Sequence, residues 1–325
     1  MDGLPKTNCL VVAITTPVTQ QFRPDLRRLV ARSRMLFEQG CDGIALFGTT
    51  GEGSEFSVAD RTETLDGMIA AGIEPGRIVV STGALAIPDV VKLTSHAVDR
   101  AVASVLLMPP CVYRGGITED GAFRFYEAVI EQVSDFRLRL LLYHFPDICG
   151  VPITPQVVRR LDERYQGIIA GVKDSGGDLD FTQDLVRRFS HLSIFTGSEI
   201  HLPEVLQTGA RGTICGLANV MPRLLRAMVD LPTAFDRRGT LPHLLSGDMI
   251  LSRRPFIPST KAVIAEVLDD SEWRRVLPPM SELPVLERQR LVEDFFDWDS
   301  SLPKDWQSLT RHELAASNVI GLRRA

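Results

Sequence analysis

The chain has 325 residues, of which 44% are hydrophobic and 24% charged, values typical of a globular protein. Its formal net charge is −5 at pH 7, so it lacks the basic surface that nucleic acid or an anionic membrane would attract. No apolar stretch approaches the ~20 residues needed to span a bilayer. We therefore expect a cytoplasmic protein that binds neither nucleic acid nor membrane.

The cysteines argue against both a disulfide framework and a structural zinc site. They are odd in number, widely scattered and without C-x-x-C spacing, which favours reduced thiols in the cytoplasm. The first five residues also lack the basic and apolar segments of a signal peptide. The five positions are Cys9, Cys41, Cys111, Cys149 and Cys215.

Eight short apolar runs, spaced fairly evenly, alternate with helical patterns from residue 9 to residue 215. Continuous apolar runs are typical of strands buried on both faces, as in a parallel sheet. Eight such strands with intervening helices predict a (β/α)8 TIM barrel. A doubly wound open sheet is the alternative, although it rarely needs eight evenly spaced parallel strands. The runs are Cys9–Ile14, Gly43–Phe47, Arg77–Ser81, Ser104–Met108, Arg137–Tyr143, Ile168–Lys173, Leu192–Thr196 and Gly212–Cys215.

Helix signals support this alternation. Residues 25–38 place apolar side chains on one face, Thr154-Pro155 predicts an N-cap followed by proline at the first helical position, and Asp180 predicts another N-cap. We therefore divide the chain into a barrel over residues 1–222, a helical bundle over 223–300 and a surface tail over 301–325. The helices expected after the barrel are Arg223–Asp230, Leu241–Leu251, Lys261–Leu268 and Val285–Phe296.

Lys173 is the first candidate for chemistry, because reactive groups of a TIM barrel lie at the carboxyl ends of its strands. Lys173 ends the apolar run that begins at Ile168. This position directs its amine into the desolvated mouth of the barrel, the opening at the carboxyl ends of the strands. Desolvation favours the neutral amine, the form that attacks a ketone. The alternative is a lysine that points to solvent and pairs with Asp174.

Two other strand ends carry polar groups that would share this mouth. The loop Gly48–Ser54 fits neither a Walker A nor a Rossmann pattern and is either an amide nest for a carboxylate or small phosphate, or a plain tight turn. Tyr143 ends the fifth strand, where its phenol either transfers protons or merely packs. The seventh strand ends at Thr196–Glu199, a further polar cluster.

Four segments follow one another at the strand ends: Gly48–Glu52, Tyr143-x-x-Pro146, Gly171–Asp174 and, at the eighth strand, Gly212–Asn219. In this ordered set the chain resembles the dihydrodipicolinate synthase / N-acetylneuraminate lyase family, over residues 8 to 290. The resemblance implies a homodimeric or homotetrameric lyase without metal or other cofactor, acting on a small 2-oxo acid and an aldehyde. It implies Lys173 as the Schiff-base lysine and Tyr143 as the proton-transfer phenol. The substrate contacts that it implies are Gly48, Thr49, Thr50 and Ile214.

The chain also departs from the family pattern. Ile148 stands where members that condense pyruvate with aspartate semialdehyde carry arginine, and an isoleucine cannot bind a second carboxylate. Tyr113 is a single, shifted tyrosine where those members have a pair. His144 replaces the usual asparagine and is either a second acid–base group or a hydrogen-bonded support, and we expect Cys149 only to pack.

These departures leave several reactions open. Loss of the arginine favours cleavage of a 2-oxo-3-deoxy acid or dehydration of a deoxy sugar acid over the 4-hydroxy-tetrahydrodipicolinate synthase reaction. The sequence is also compatible with a pyruvate-binding relative without turnover, and with a barrel enzyme that binds a sugar phosphate in the loop Gly48–Ser54.

Overall fold

Eight parallel strands close into a barrel in the computed structural model of the chain, which describes residues 4–113, 116–151, 153–231 and 233–308. Each strand pairs with its neighbours in sequence, and the last pairs with the first, Cys9 lying opposite Gly212. The predicted TIM barrel is therefore confirmed. The strands are β1 Cys9–Ala13, β2 Gly43–Leu46, β3 Ile78–Ser81, β4 Ser104–Leu107, β5 Leu140–His144, β6 Ile169–Asp174, β7 Ser193–Thr196 and β8 Gly212–Cys215.

Helices fill the connections between strands and continue beyond the eighth strand. Those connecting the strands are α1 Leu26–Glu38, α2 Val58–Ala70, α3 Ile87–Asp99, α4 Glu119–Val133, α5 Pro146–Cys149, α6 Pro155–Arg164, α7 Leu179–Arg188 and α8 Leu202–Thr208. Those after β8 are α9 Pro222–Asp230, α10 Ala234–Arg238, α11 Leu241–Ser252, α12 Phe256–Val267 and α13 Val285–Ser301. In the described part of the chain, no helix is long and apolar enough to cross a membrane.

Side-chain caps begin α1 and α6, and the sequence predicted the second of them. Asp25 accepts a hydrogen bond from the amide of Arg28 at the start of α1, and Thr154 accepts one from Val157 at the start of α6. The N-cap predicted at Asp180 is wrong, because Asp178 accepts from Phe181 and α7 begins two residues earlier.

Three predicted boundaries move by three or more residues. β5 begins at Leu140 rather than Arg137, because Arg137 is held in a turn by the carboxylate of Asp135. α12 begins at Phe256, directly after Pro255, rather than at Lys261. α13 runs to Ser301, and the short α10 was not predicted.

Two apolar cores lie on the two sides of the barrel wall. The larger core fills the layer between strands and helices, and the smaller core lies inside the barrel. Tyr143 belongs to the interior core, so its ring points inward from the end of β5. The buried members of the interior core are Cys9, Val11, Ala45, Val79, Leu106, Leu141, Tyr143, Phe195 and Ile214.

The helices after β8 contact both the barrel and one another. α9 packs against β1 and α8, and α11, α12 and α13 pack together. The chain is described as far as Ser308, whose amide donates to Asp299 of α13. The division at residue 222 stays a prediction, and the tail predicted over 301–325 lies outside the described residues beyond Ser308.

Candidate active site

Lys173 and Tyr143 form a buried pair at the carboxyl end of the barrel. They lie opposite each other in the register of β5 and β6, so both side chains enter the same mouth. Nζ of Lys173 donates a hydrogen bond to the Tyr143 phenol oxygen over 3.1 Å. The residues are only 5% and 3% exposed, so an amine and a phenol share one desolvated space.

The surroundings of Tyr143 lower the pKa of its phenol. Burial raises the pKa of the phenol, but the charge of Lys173 and hydrogen bonds from Lys173, Thr49 and Ser175 outweigh burial, and the pKa falls below its usual value. A phenol tuned in this way exchanges protons with a neighbouring amine more readily than a tyrosine in water.

Asp174 does not serve as the partner of Lys173. Its buried carboxylate accepts hydrogen bonds from the amide of Gly176 over 2.9 Å and from the hydroxyl of Thr182, and it contacts Nδ1 of His144 over 3.0 Å. The alternative of a solvent-facing lysine paired with Asp174 is therefore wrong.

The loop after β2 folds back tightly on itself. The amides of Gly51 and Gly53 donate to the carbonyl of Gly48, and the amide of Glu52 donates to that of Thr49. None of the described hydrogen bonds uses the amides of Thr49 or Thr50. Two amides and the Thr50 hydroxyl therefore remain for an anionic group, although Thr49 is exposed and Thr50 only half-buried.

A buried ion pair anchors this loop to the helices that follow the barrel. Lys261 of α12 donates to Oε1 of Glu52 and, over 3.0 Å, to the carbonyl of Arg275. The other Glu52 oxygen accepts from the amide of Leu277 over 2.8 Å. Both charged side chains are fully buried. Sequence reasoning missed Lys261, because its partner is 209 residues away and the helix pattern around it indicated only packing.

Ser175 and Gly197 were also missed. A side-chain carbon added at Gly197 would lie 2.1 Å from Oγ of Ser175 and 3.4 Å from Cε of Lys173, so all three residues meet at the mouth. A signal for Ser175 was present in the sequence. It lies two positions after Lys173, and alternate residues of an extended chain point to the same side.

The remaining candidate residues differ in whether they lie close to Lys173 and Tyr143. Ile214 is fully buried in the same interior core as Tyr143. His144 lies next to Tyr143 but packs against the ring of Phe181 and contacts Asp174, as expected of a hydrogen-bonded support. Tyr113 is 60% exposed, and no described hydrogen bond joins it to Tyr143.

The loop after β5 carries the other departures from the family pattern. Ile148 is partly buried on α5, and the thiol of Cys149 donates to the carbonyl of Pro109 over 3.3 Å. Burial raises the pKa of Cys149, as expected of a packing thiol. Arg114, a possible partner for a second carboxylate, lies outside the described residues.

Glu199, three residues after the end of β7, is a partly buried acid. Burial raises the pKa of its carboxyl, which accepts from the amide of Leu217 over 3.4 Å and from the thiol of Cys215. Within residues 4–113, 116–151, 153–231 and 233–308, no cluster of three or more His, Cys, Asp or Glu side chains could hold a metal ion.

Comparison with known proteins agrees with this geometry. Residues 6–245 match the Dihydrodipicolinate synthetase family. An uncharacterized DapA-like lyase of Chloroflexus aurantiacus is 30% identical over 317 residues, covering 97% of this chain and 95% of that protein. The crystal structure of dihydrodipicolinate synthase from Agrobacterium tumefaciens superimposes with a TM-score of 0.82 at 29% identity, covering 90% of this chain and 99% of that one.

A variant of the Sulfolobus solfataricus 2-keto-3-deoxygluconate aldolase shares the fold, with a TM-score of 0.79 at 20% identity and coverage of 90% of this chain and 97% of that one. The family match spans most of the chain and includes the strands that carry Tyr143 and Lys173. The chain therefore belongs to the dihydrodipicolinate synthetase family and is a lyase of the class I aldolase type.

Proposed function

We propose that the protein is a Schiff-base-forming aldolase or lyase that acts on pyruvate or a larger 2-oxo acid. The observation that carries this proposal is the 3.1 Å hydrogen bond between Nζ of Lys173 and the Tyr143 phenol in a buried mouth. Gly48, Thr49 and Thr50 supply amides for the substrate carboxylate, to which Thr50 adds its hydroxyl, and Ile214 forms part of the apolar floor beneath Tyr143.

The chemistry follows from the protons that these two groups hold. Tyr143, as phenolate, removes a proton from the Lys173 ammonium, and the neutral amine attacks the ketone carbon. Attack leaves a negative oxygen and a positively charged nitrogen, and a proton passes from the nitrogen to the oxygen to give a carbinolamine. The carbinolamine hydroxyl takes a proton from the Tyr143 phenol and leaves as water, which forms an iminium and a Tyr143 phenolate. The phenolate then takes the proton of the C4 hydroxyl of a larger 2-oxo acid as the bond between C3 and C4 breaks, so that C4 leaves as an aldehyde and the electron pair moves into the iminium to give an enamine of pyruvate.

The choice among reactions depends on the second substrate. Ile148 offers no charge to a second carboxylate, which favours cleavage of a 2-oxo-3-deoxy acid or dehydration of a deoxy sugar acid. Condensation of pyruvate with aspartate semialdehyde is the alternative, and the Agrobacterium relative carries the name of a dihydrodipicolinate synthase.

Two functions outside the aldolase class have less support. A pyruvate-binding protein without turnover would have no need of the hydrogen-bonded pair Lys173 and Tyr143. A sugar-phosphate enzyme would leave Lys173 without a covalent role.

The same chemistry limits what else the enzyme requires. Because the iminium accepts the electron pair, we propose that no metal ion or organic cofactor takes part. From the family resemblance we also propose a homodimer or homotetramer in the cytoplasm.

Borohydride reduction in the presence of pyruvate tests the covalent step. We expect inactivation with one reduced pyruvyl adduct on the peptide that contains Lys173, identified by mass spectrometry. Lys173→Ala should give no adduct. An adduct on another lysine, or none on the wild-type enzyme, would contradict the proposal.

A further inference from the structure

The hydroxyl of Ser175 lies close to Lys173 and Tyr143, in space left free because Gly197 has no side chain. The amide of Ser175 donates to the carbonyl of His144 over 2.8 Å, and the amide of Gly197 donates to the carbonyl of Asp174 over 2.7 Å. These two bonds tie the residues after Lys173 to β5 and to the end of β7. Since Gly197 has no side chain, Oγ of Ser175 can lie over its α-carbon and close to the Lys173 stem.

From this position, beside the Lys173 stem, the Ser175 hydroxyl lowers the pKa of the Tyr143 phenol. Lys173 is hydrogen-bonded to the phenol over 3.1 Å, and the hydroxyls of Thr49 and Ser175 also lower its pKa. Thr49 is exposed, whereas Ser175 is partly buried. Ser175 is therefore the hydroxyl that is better shielded from competing water.

The proposed reaction creates a need for such a partner. When Tyr143 gives its proton to the departing water, a phenolate is left in a space where the residue is only 3% exposed. A buried charge without hydrogen bonds is costly. At that stage the Lys173 nitrogen is bonded to the substrate and has lost most of its N–H donors, so the two hydroxyls must stabilise the phenolate.

We propose that Ser175 is a positioning residue for Tyr143, whose hydroxyl orients the phenol and stabilises the phenolate formed during iminium formation. The proposal rests on the proposed function, because it requires Tyr143 to lose and regain a proton. In the next step the phenolate removes a proton from C3 of the iminium, the C–H electrons form the C2–C3 double bond of the enamine, and Tyr143 is again a phenol.

Exchange of pyruvate methyl protons in D2O, followed by NMR, tests this role with pyruvate as the only ligand. Ser175→Ala should exchange about ten- to a hundredfold more slowly than wild type, the effect of one hydrogen bond to a charged group. Loss of the hydrogen bond raises the Tyr143 pKa, so the increase of rate with pH should move to higher pH.

The matched control is Ser104→Ala, at the start of β4, which removes a hydroxyl bonded to the carbonyl of Ala103. It should exchange at the wild-type rate. In a Tyr143→Phe background, Ser175→Ala should cause no further slowing, because its effect passes through the missing hydroxyl.

Two results would overturn the role of Ser175. One is a Ser175→Ala rate and pH profile identical to wild type; the other is equal slowing with and without the Tyr143 hydroxyl. Failure of the proposed function looks different. In that case the wild-type enzyme itself would neither exchange pyruvate protons nor trap pyruvate on Lys173 with borohydride, and both proposals would fall.

Discussion

At the residue scale, the phenol of Tyr143 and the amine of Lys173 should contribute differently to turnover. Tyr143→Phe removes one hydroxyl but leaves the ring in the interior core, and the amine can still attack. We expect kcat to fall about 10²–10⁴-fold, the usual contribution of a general acid–base group, while pyruvate is still trapped slowly by borohydride. Lys173→Ala should lose turnover and trapping together.

If Tyr143 only packs in the core, Tyr143→Phe should have a different effect on kcat. Loss of the hydroxyl would then lower the unfolding temperature slightly and leave kcat almost unchanged. Near-normal kcat in Tyr143→Phe would remove the phenol from the mechanism and leave His144 or Tyr113 as the next candidate.

Gly197 sets the space available to the reactive groups. In Gly197→Ala the new methyl group would lie 2.1 Å from Oγ of Ser175 and 3.4 Å from Cε of Lys173, so the serine must move. We expect kcat to fall by roughly tenfold or more, since small displacements of catalytic groups are costly. Steady-state kinetics and thermal unfolding, measured on the same preparation, separate this effect from lost stability.

Gly121→Ala is the matched control for this substitution. A methyl group there meets atoms no closer than 3.5 Å, near the start of α4. Its kinetics should be those of wild type. If Gly197→Ala were equally silent, the crowding at the mouth would not limit catalysis.

At the element scale, the strands could be predicted from the sequence and the contacts between distant loops could not. Buried parallel strands appear in a sequence as continuous apolar runs, and for this reason the predicted bounds of β8 match the observed ones. Strand ends of a barrel converge, so Tyr143 and Lys173 could be expected to lie close together. The partner of Glu52 had no such signal, because no sequence periodicity links β2 to α12.

The ion pair between Glu52 and Lys261 should support both stability and substrate binding. Lys261→Met leaves a fully buried carboxylate without its cation, which should cost about 3–5 kcal/mol in denaturant unfolding. Since Glu52 also fixes the turn that carries Thr49 and Thr50, KM for pyruvate should rise more than kcat falls.

Two further variants separate the pair from a general effect of substitution. Glu52→Gln combined with Lys261→Met removes both charges and should recover part of the lost stability. Arg188→Met breaks the exposed pair with Asp184 and should cost only about 0–1 kcal/mol. Equal losses in the buried and exposed variants would show that the buried pair has no special role.

At the scale of the whole molecule, the barrel places the residues of the proposed covalent step apart from the residue proposed to select the second substrate. Lys173 and Tyr143 belong to strands, which the closed sheet and the interior core hold in register. Ile148 belongs to the short helix α5 after β5, where a change of side chain leaves the sheet intact. We therefore expect that the second substrate can be altered without loss of the proposed Schiff-base chemistry.

This separation leads to a prediction about aspartate semialdehyde. The wild-type enzyme should condense it with pyruvate poorly compared with glyceraldehyde, because Ile148 cannot pair with its carboxylate. Ile148→Arg should raise kcat/KM for aspartate semialdehyde roughly ten- to a hundredfold, since a charge-assisted hydrogen bond contributes about 1.5–3 kcal/mol. Asp147→Arg adds an arginine at the exposed neighbouring position and should bring no comparable gain. Efficient condensation by the wild-type enzyme would mean that another group, such as His144 or Arg114, binds the second carboxylate.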